Sequence, residues 1–387
     1  MTEQVYFGRG NSDLYDEYID FINYVFGFNG NSHDFKKLLP KLYRRELNPA
    51  ASNYLAVENG KIKAAIGAYD VDLNVCGTTI RTRGIGNVAV HPYARSRGYM
   101  KKLLNDAIDD MVKDGIAFSA LGGRRHRYNY FSYDKIGIKV SMTLNSENIR
   151  YKFGDERSHF FSFRNIKTED TDVLNRIRKL SESQPFFCLR NNANYFDILT
   201  SWQSELYAGF CEDQFAGYAI IDDGDVSEIL IETGFEEKLP VFCADLRDHI
   251  GKTLSFQLPA HLDSYIKMMQ PYCEGYYVTY PEMFNVLDYR LVLEAFLSLK
   301  GTYSRLPDGE ITFSIDGRAR MENITISVKE GKVSVAHTAK NPFCDTLGHL
   351  EAMNLLFAPY SVERETLPDF ARLWFPLPLF IYHADCV

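Results

Sequence analysis

Leu103, Leu104, Ala107, Ile108, Met111 and Val112 recur at three- and four-residue spacing, while Lys101, Lys102, Asn105, Asp106, Asp109, Asp110 and Lys113 fill the other face. That spacing predicts an amphipathic helix laid on a core. Gly115 follows its last turn, where a C-terminal glycine belongs. Residues 79–90 predict the preceding strand: Arg81, Arg83, Ile85, Asn87 and Ala89 alternate with Ile80, Thr82, Gly84, Gly86, Val88 and Val90. Gly84 and Gly86 leave room on that strand for a ligand backbone. Between strand and helix lies Val88-Ala89-Val90-His91-Pro92-Tyr93-Ala94-Arg95-Ser96-Arg97-Gly98-Tyr99-Met100, with two arginines and a glycine just before the helix. A helix N-terminus offers unpaired N–H groups and partial positive charge, so this turn is suited to a phosphate.

The pattern continues on both sides. Residues 13–48 predict helix with mixed polar and aromatic faces, 53–57 and 63–71 predict strands, and Glu58-Asn59-Gly60 predicts the hairpin turn between them. Residues 116–121 predict a buried strand ended by Gly122-Gly123. A weaker echo follows, with a helix at 171–180, a hairpin from 206–211 and 215–221 around Glu212-Asp213-Gln214, a strand at 226–233 and a helix at 238–249. Further on come a strand at 283–286, a helix at 291–299 and strands at 310–315, 323–329 and 332–337, with Glu330-Gly331 as a turn. Helices are predicted at 344–354 and 367–375, and the apolar run from Trp374 to Phe380 predicts a buried tail.

A chain of 387 residues is long for one domain, so two or three are expected. The net charge of −8 argues against nonspecific nucleic-acid binding and is compatible with a cationic partner. Seven cysteines, at 76, 188, 211, 243, 273, 344 and 386, include no CxxC pair, and MTEQVYFGRG has no apolar core. These features predict a reduced cytoplasmic protein without a structural zinc site. No run approaches the roughly 18 apolar residues of a membrane span. His91, His126 and His383 form no pair with metal-ligand spacing beside an acid, so no metal is expected.

The run Arg95-Ser96-Arg97-Gly98-Tyr99-Met100 after a V-x-V strand end and Pro92 resembles the acetyl-CoA signature of the GNAT acetyltransferases, with Met100 in place of the usual small residue. Helices, a meander and then strand–turn–helix–strand is also the GNAT order. Over nearly the whole chain the pattern resembles the enhanced intracellular survival (Eis) family. That resemblance implies an α/β (α+β) fold: a GNAT domain at 1–150, a second GNAT-like domain without a cofactor turn at 151–285, and a sterol-carrier-like domain at 286–387. It implies acetyl-CoA as donor and an amine of a cationic small molecule, or of lysine, as acceptor. Assembly into homo-oligomers is a further expectation from relatives.

The resemblance also implies site residues. Tyr128-Asn129-Tyr130-Phe131-Ser132-Tyr133 matches a Y-x-x-F-G-Y run, with Ser132 replacing glycine, and makes Tyr128 the candidate beside the cofactor sulfur. Tyr133, which starts Tyr133-Asp134-Lys135-Ile136-Gly137, is the alternative in a shifted register. The family's use of its terminal carboxylate maps to Val387. The pantetheine arm would bond to the backbone of Val88, Ala89 and Val90. The pyrophosphate would sit at Arg95, Ser96, Arg97, Gly98, Tyr99 and Met100. A competing reading is a non-catalytic acyl-CoA or lipid-binding protein.

Overall fold

The computed structural model describes residues 5–28, 30, 32–340 and 345–387. Two seven-stranded sheets carry most of the chain. In the first, the order is Val5–Arg9, Asn53–Glu58, Lys61–Asp70, Thr82–Val90 (β1), Phe118–Leu121 (β2), Glu282–Val286 and Asp134–Ile136. Between β1 and β2 runs the helix Tyr99–Lys113 (α1), whose buried stripe is Tyr99, Leu103, Leu104, Ala107, Ile108 and Met111. The hairpin at Asn59 and Gly60 takes positive φ at both residues (52° and 71°), as a two-residue turn between twisted strands requires.

The second sheet has the order Ser162–Asn165, Glu205–Cys211, Gln214–Asp222, Asp225–Ile231, Leu254–Pro259, Lys139–Leu144 (β3) and Tyr276–Thr279. The sheets exchange strands across the expected boundaries. β3 lies before residue 150 yet pairs with Leu254–Pro259 in the second sheet. Glu282–Val286 (β4) returns to the first sheet and pairs antiparallel with β2. A four-stranded sheet of Lys332–His337, Met321–Lys329, Gly309–Asp316 and Thr346–Gly348 closes the chain. One apolar core joins it to the rest: Phe118 of β2, Phe284 of β4, Phe296, Trp374 and Phe380 all belong to it.

Some elements are shorter than their pattern predicts. The helical stretch at 13–48 contains the helices Tyr15–Gly27, Phe35–Leu38 and Pro40–Tyr43; the last two are separate because Pro40 can start a helix but cannot continue one. The strand at 79–90 divides into Thr78–Ile80 and β1, and the strand at 116–121 starts at Phe118. The helix expected at 344–354 begins at His349, after the short strand Thr346–Gly348. Cys344 lies outside the described residues. The tail is buried as its composition predicts, with Trp374, Leu377 and Leu379 fully enclosed.

His261 is buried against Phe186 with neither ring nitrogen hydrogen-bonded among the described residues. Burial lowers its pKa to about 3, whereas an unfolded histidine titrates near about 6.5. Between those values the unfolded chain binds the extra proton, so His261 removes stability as pH falls from about 6.5 towards about 3. At pH 5 the loss from this residue is about 2 kcal/mol. Urea unfolding at pH 7.5 and pH 5 should show a smaller acid-side loss in His261→Leu, by about that amount; an unchanged loss would contradict it.

Candidate active site

β1 and β2 are bonded in parallel from Thr82 and Phe118 to Ile85 and Leu121. Beyond Ile85, β1 continues to Val90 with no pairing to β2. A bulge turns β1 at that point: the register with Lys61–Asp70 shifts between Ala65 and Gly67, and Asn87 takes φ 50°. Its amide Nδ2 donates to the Tyr18 hydroxyl at 2.9 Å and to the Tyr69 hydroxyl at 3.3 Å, and also to that of Tyr43. Buried hydrogen bonds of this kind fix an unfavourable backbone conformation. The Val88–Val90 segment therefore offers main-chain groups on the side facing away from Lys61–Asp70.

The turn after β1 closes on α1. Ser96 and Gly98 adopt left-handed backbone (φ 64° and 80°), a conformation for which glycine carries no steric penalty. Gly98 is the N-cap of α1 and no side chain caps the first turn, so its early N–H groups face outward as an anion site. Arg95 is exposed. Arg97 differs from expectation: its guanidinium is held by Glu58 (Nη1 to Oε2 2.7 Å) and lies over the Tyr99 ring at 5.1 Å. Its positive charge is thus partly neutralised by the buried Glu58, although Arg97 itself is exposed. Tyr99 is buried and reaches Glu58 at 3.2 Å. The departure at Met100 is accommodated because its side chain packs on the core beneath the helix.

Val387 lies on the opposite side of the opening. A Cβ at Gly84 would come within 2.5 Å of Val387 Cγ2, and one at Gly86 within 2.9 Å of the Val387 carbonyl carbon. Only glycine at these two positions allows the approach. Tyr128 packs on Gly123, next to Gly122, which lines the same small cleft as Val387. Burial raises the Tyr128 pKa, and Arg127 opposes that shift. Tyr133 is enclosed in the core and donates to Ser119 Oγ at 2.7 Å. Its hydroxyl is therefore engaged away from the cleft.

Two buried cations and a half-buried tryptophan fasten the tail. Lys41 Nζ donates to the Ala384 carbonyl at 2.5 Å and the Cys386 carbonyl at 2.6 Å, and burial lowers its pKa to about 8. Trp202 Nε1 also donates to the Cys386 carbonyl, at 3.1 Å. Arg190 bridges Glu228 (Nη1 to Oε1 3.0 Å) and Asp385 (Nη2 to Oδ2 2.7 Å), and all three side chains are at most 5% exposed. None of these anchors was marked by the sequence pattern.

A cleft of ≈ 260 Å³ opens between the sheets beside the tail. Asp222, Asp225 and Glu282 line it, with Lys139, Gln257 and His383. Three carboxylates against one lysine make it a site for positive charge. Glu282 lines this cleft and the small cleft at Val387 as well. Among the described residues no cluster of His, Cys, Asp or Glu could hold a metal ion, and no helix is long and apolar enough to cross a membrane.

The parted parallel strands and the helix without a side-chain cap lie within the segment that matches a GNAT acetyltransferase domain. Residues 9–138 match the family model of the acetyltransferase (GNAT) domain. No curated protein matches the chain by sequence. Among solved structures, a conserved protein of Enterococcus faecalis V583, described as a probable N-acyltransferase, is similar at TM-score 0.67 and 15% identity over 97% of each chain. A GCN5-related N-acetyltransferase from Anabaena variabilis ATCC 29413 is similar at 0.66 and 12% over 98% of each. Eis1 from Mycobacterium abscessus is similar at 0.62 and 12%, again over 98% of each. At these identities the likeness is one of fold.

Arg190→Met leaves Glu228 and Asp385 buried without their cation. Chemical unfolding should show a loss of about 3–5 kcal/mol. A loss below about 1 kcal/mol, the scale of a surface pair, would contradict a buried anchor.

Proposed function

We propose that this chain transfers an acetyl group from acetyl-CoA to a primary amine of a cationic small molecule or of lysine. The observation that carries the reading is a set of three features: the end of β1 that β2 leaves unpaired on one side, the start of α1 without a side-chain cap, and a cleft lined by three carboxylates that shares Glu282 with the small cleft at Gly84 and Val387. The pantetheine arm would pair with the backbone of Val88, Ala89 and Val90 as an added strand. The pyrophosphate would rest on the N–H groups of residues 97–100, with Arg95 supplying charge. Arg97 would shape the turn through Glu58.

The chemistry is direct. The neutral amine attacks the thioester carbonyl, a C–N bond forms and the C–S pair leaves with sulfur. The leaving thiolate requires stabilisation. A thiol near about 8.5 and a tyrosine near about 10 make full proton transfer from Tyr128 uphill by about 2 kcal/mol in water, and burial of Tyr128 adds to that. A hydrogen bond that strengthens as charge develops on sulfur is sufficient. The Val387 carboxylate, beside Gly84 and Gly86, would steer the incoming cation towards the thioester.

The test is thiol release from acetyl-CoA with a panel of polyamines, aminoglycosides and lysine peptides. Wild type should turn over at least one of them. Tyr128→Phe should lower kcat about 100-fold, the scale of a lost general acid. One residue added after Val387 should also cut turnover strongly, because the space over Gly84 and Gly86 is filled. Tight acyl-CoA binding without turnover of any amine would favour the non-catalytic reading instead.

A further inference from the structure

We propose that Glu282 takes the proton from the acceptor's ammonium, an assignment that rests on the acetyl-transfer reading above. Glu282 opens β4, the strand that arrives from far along the chain and inserts beside β2. It faces Ile136 in the register of Asp134–Ile136. Its Oε2 lies 3.4 Å from where a Cβ on Gly122 would stand, just past the end of β2. The carboxylate therefore sits where β1 and β2 part, at the neck between the acidic cleft and the small cleft at Val387. A cationic acceptor bound in the first must present its amine past this group to reach a thioester at the second.

The other acids nearby are less suited to accept a proton. Asp385 is bound to Arg190. Asp225 is exposed and Asp222 half-buried at the cleft wall, so they serve as solvated anchors for positive charge. Glu282 has no cation within ion-pair distance among the described residues. The one hydrogen bond it accepts there is the long contact from Cys386 Sγ, at 3.8 Å. The charged and titratable groups around it are Lys139, His383, Asp222, Asp225, Asp385, Cys386 and Val387. Burial raises its pKa, with Lys139 and the Cys386 thiol opposing. A carboxylate raised towards working pH is the better general base.

The step balances. The ammonium gives one proton to the Glu282 carboxylate, leaving a neutral amine and a carboxylic acid. The amine lone pair forms the C–N bond as the C–S pair leaves with sulfur, and the nitrogen then sheds its second proton, which neutralises the thiolate, so that the products are amide and thiol. The carboxylic acid then returns its proton to solvent through the acidic cleft.

The test compares full-length wild type and Glu282→Gln with acetyl-CoA and the fastest acceptor of the amine panel. The variant keeps side-chain size, and unchanged acetyl-CoA binding by calorimetry checks its fold. Glu282→Gln should lose about 100-fold or more in kcat, with KM for the acceptor within about threefold, and should flatten the acidic limb of the kcat–pH profile. Glu282→Asp should recover part of kcat. A kcat within about threefold of wild type, a loss confined to KM, or a retained acidic limb would overturn the assignment. A wild type that binds acetyl-CoA yet acetylates no amine would overturn the transfer reading itself, and this assignment with it.

Discussion

The bonding between β1 and β2 stops at Ile85 and Leu121 while β1 runs on to Val90. Everything at the site depends on that parting. It leaves main-chain donors and acceptors without a strand partner, and such groups must be satisfied by water, side chains or a ligand. The bulge at Asn87, gripped by tyrosine hydroxyls from the α/β layer behind it, holds β1 away from β2. Beside it, the absence of side chains at Gly84 and Gly86 makes room for Val387. A phosphate-binding turn on α1 at one side and the end of the chain at the other thus converge on a single opening.

Holding the tail there requires buried charge. Lys41 comes from the N-terminal helical region, Arg190 and Trp202 from the segment between the strands Ser162–Asn165 and Glu205–Cys211, and each meets residues 384–386. A buried cation is tolerated only where hydrogen bonds replace its water. Lys41 has two carbonyls and Arg190 two carboxylates. The site is therefore composite: the first sheet supplies the opening, the second sheet the acidic wall, and the last segment the Cys386–Val387 edge.

Much of this frame was legible in the sequence. The apolar stripe of α1 is local, periodic and strong, and the folded helix follows it closely, whereas β1 is buried on both faces over most of its length. The buried tail was legible from its composition. Pairing was not legible, because β4 reads as a strand but its seat beside β2 joins residues more than 150 positions apart. Arg97 resembled a phosphate ligand in the turn, yet Glu58, 39 residues upstream, takes its guanidinium. Lys41, Arg190 and Glu282 carried no signal, since an isolated charge in sequence is usually solvated and only the fold gives these their buried neighbours. The Tyr128 and Tyr133 alternatives differ in the structure by their surroundings: Tyr128 packs by the cleft at Gly123, and Tyr133 bonds to Ser119 in the core.

The most direct test of the composite site is a crystal structure of the protein with coenzyme A. The account predicts pantetheine paired along Val88–Val90, pyrophosphate on the N–H groups of residues 97–100, and sulfur within about 3.5 Å of the Tyr128 hydroxyl. Coenzyme A bound away from the parted strands, or sulfur directed away from Tyr128 and Glu282, would contradict it.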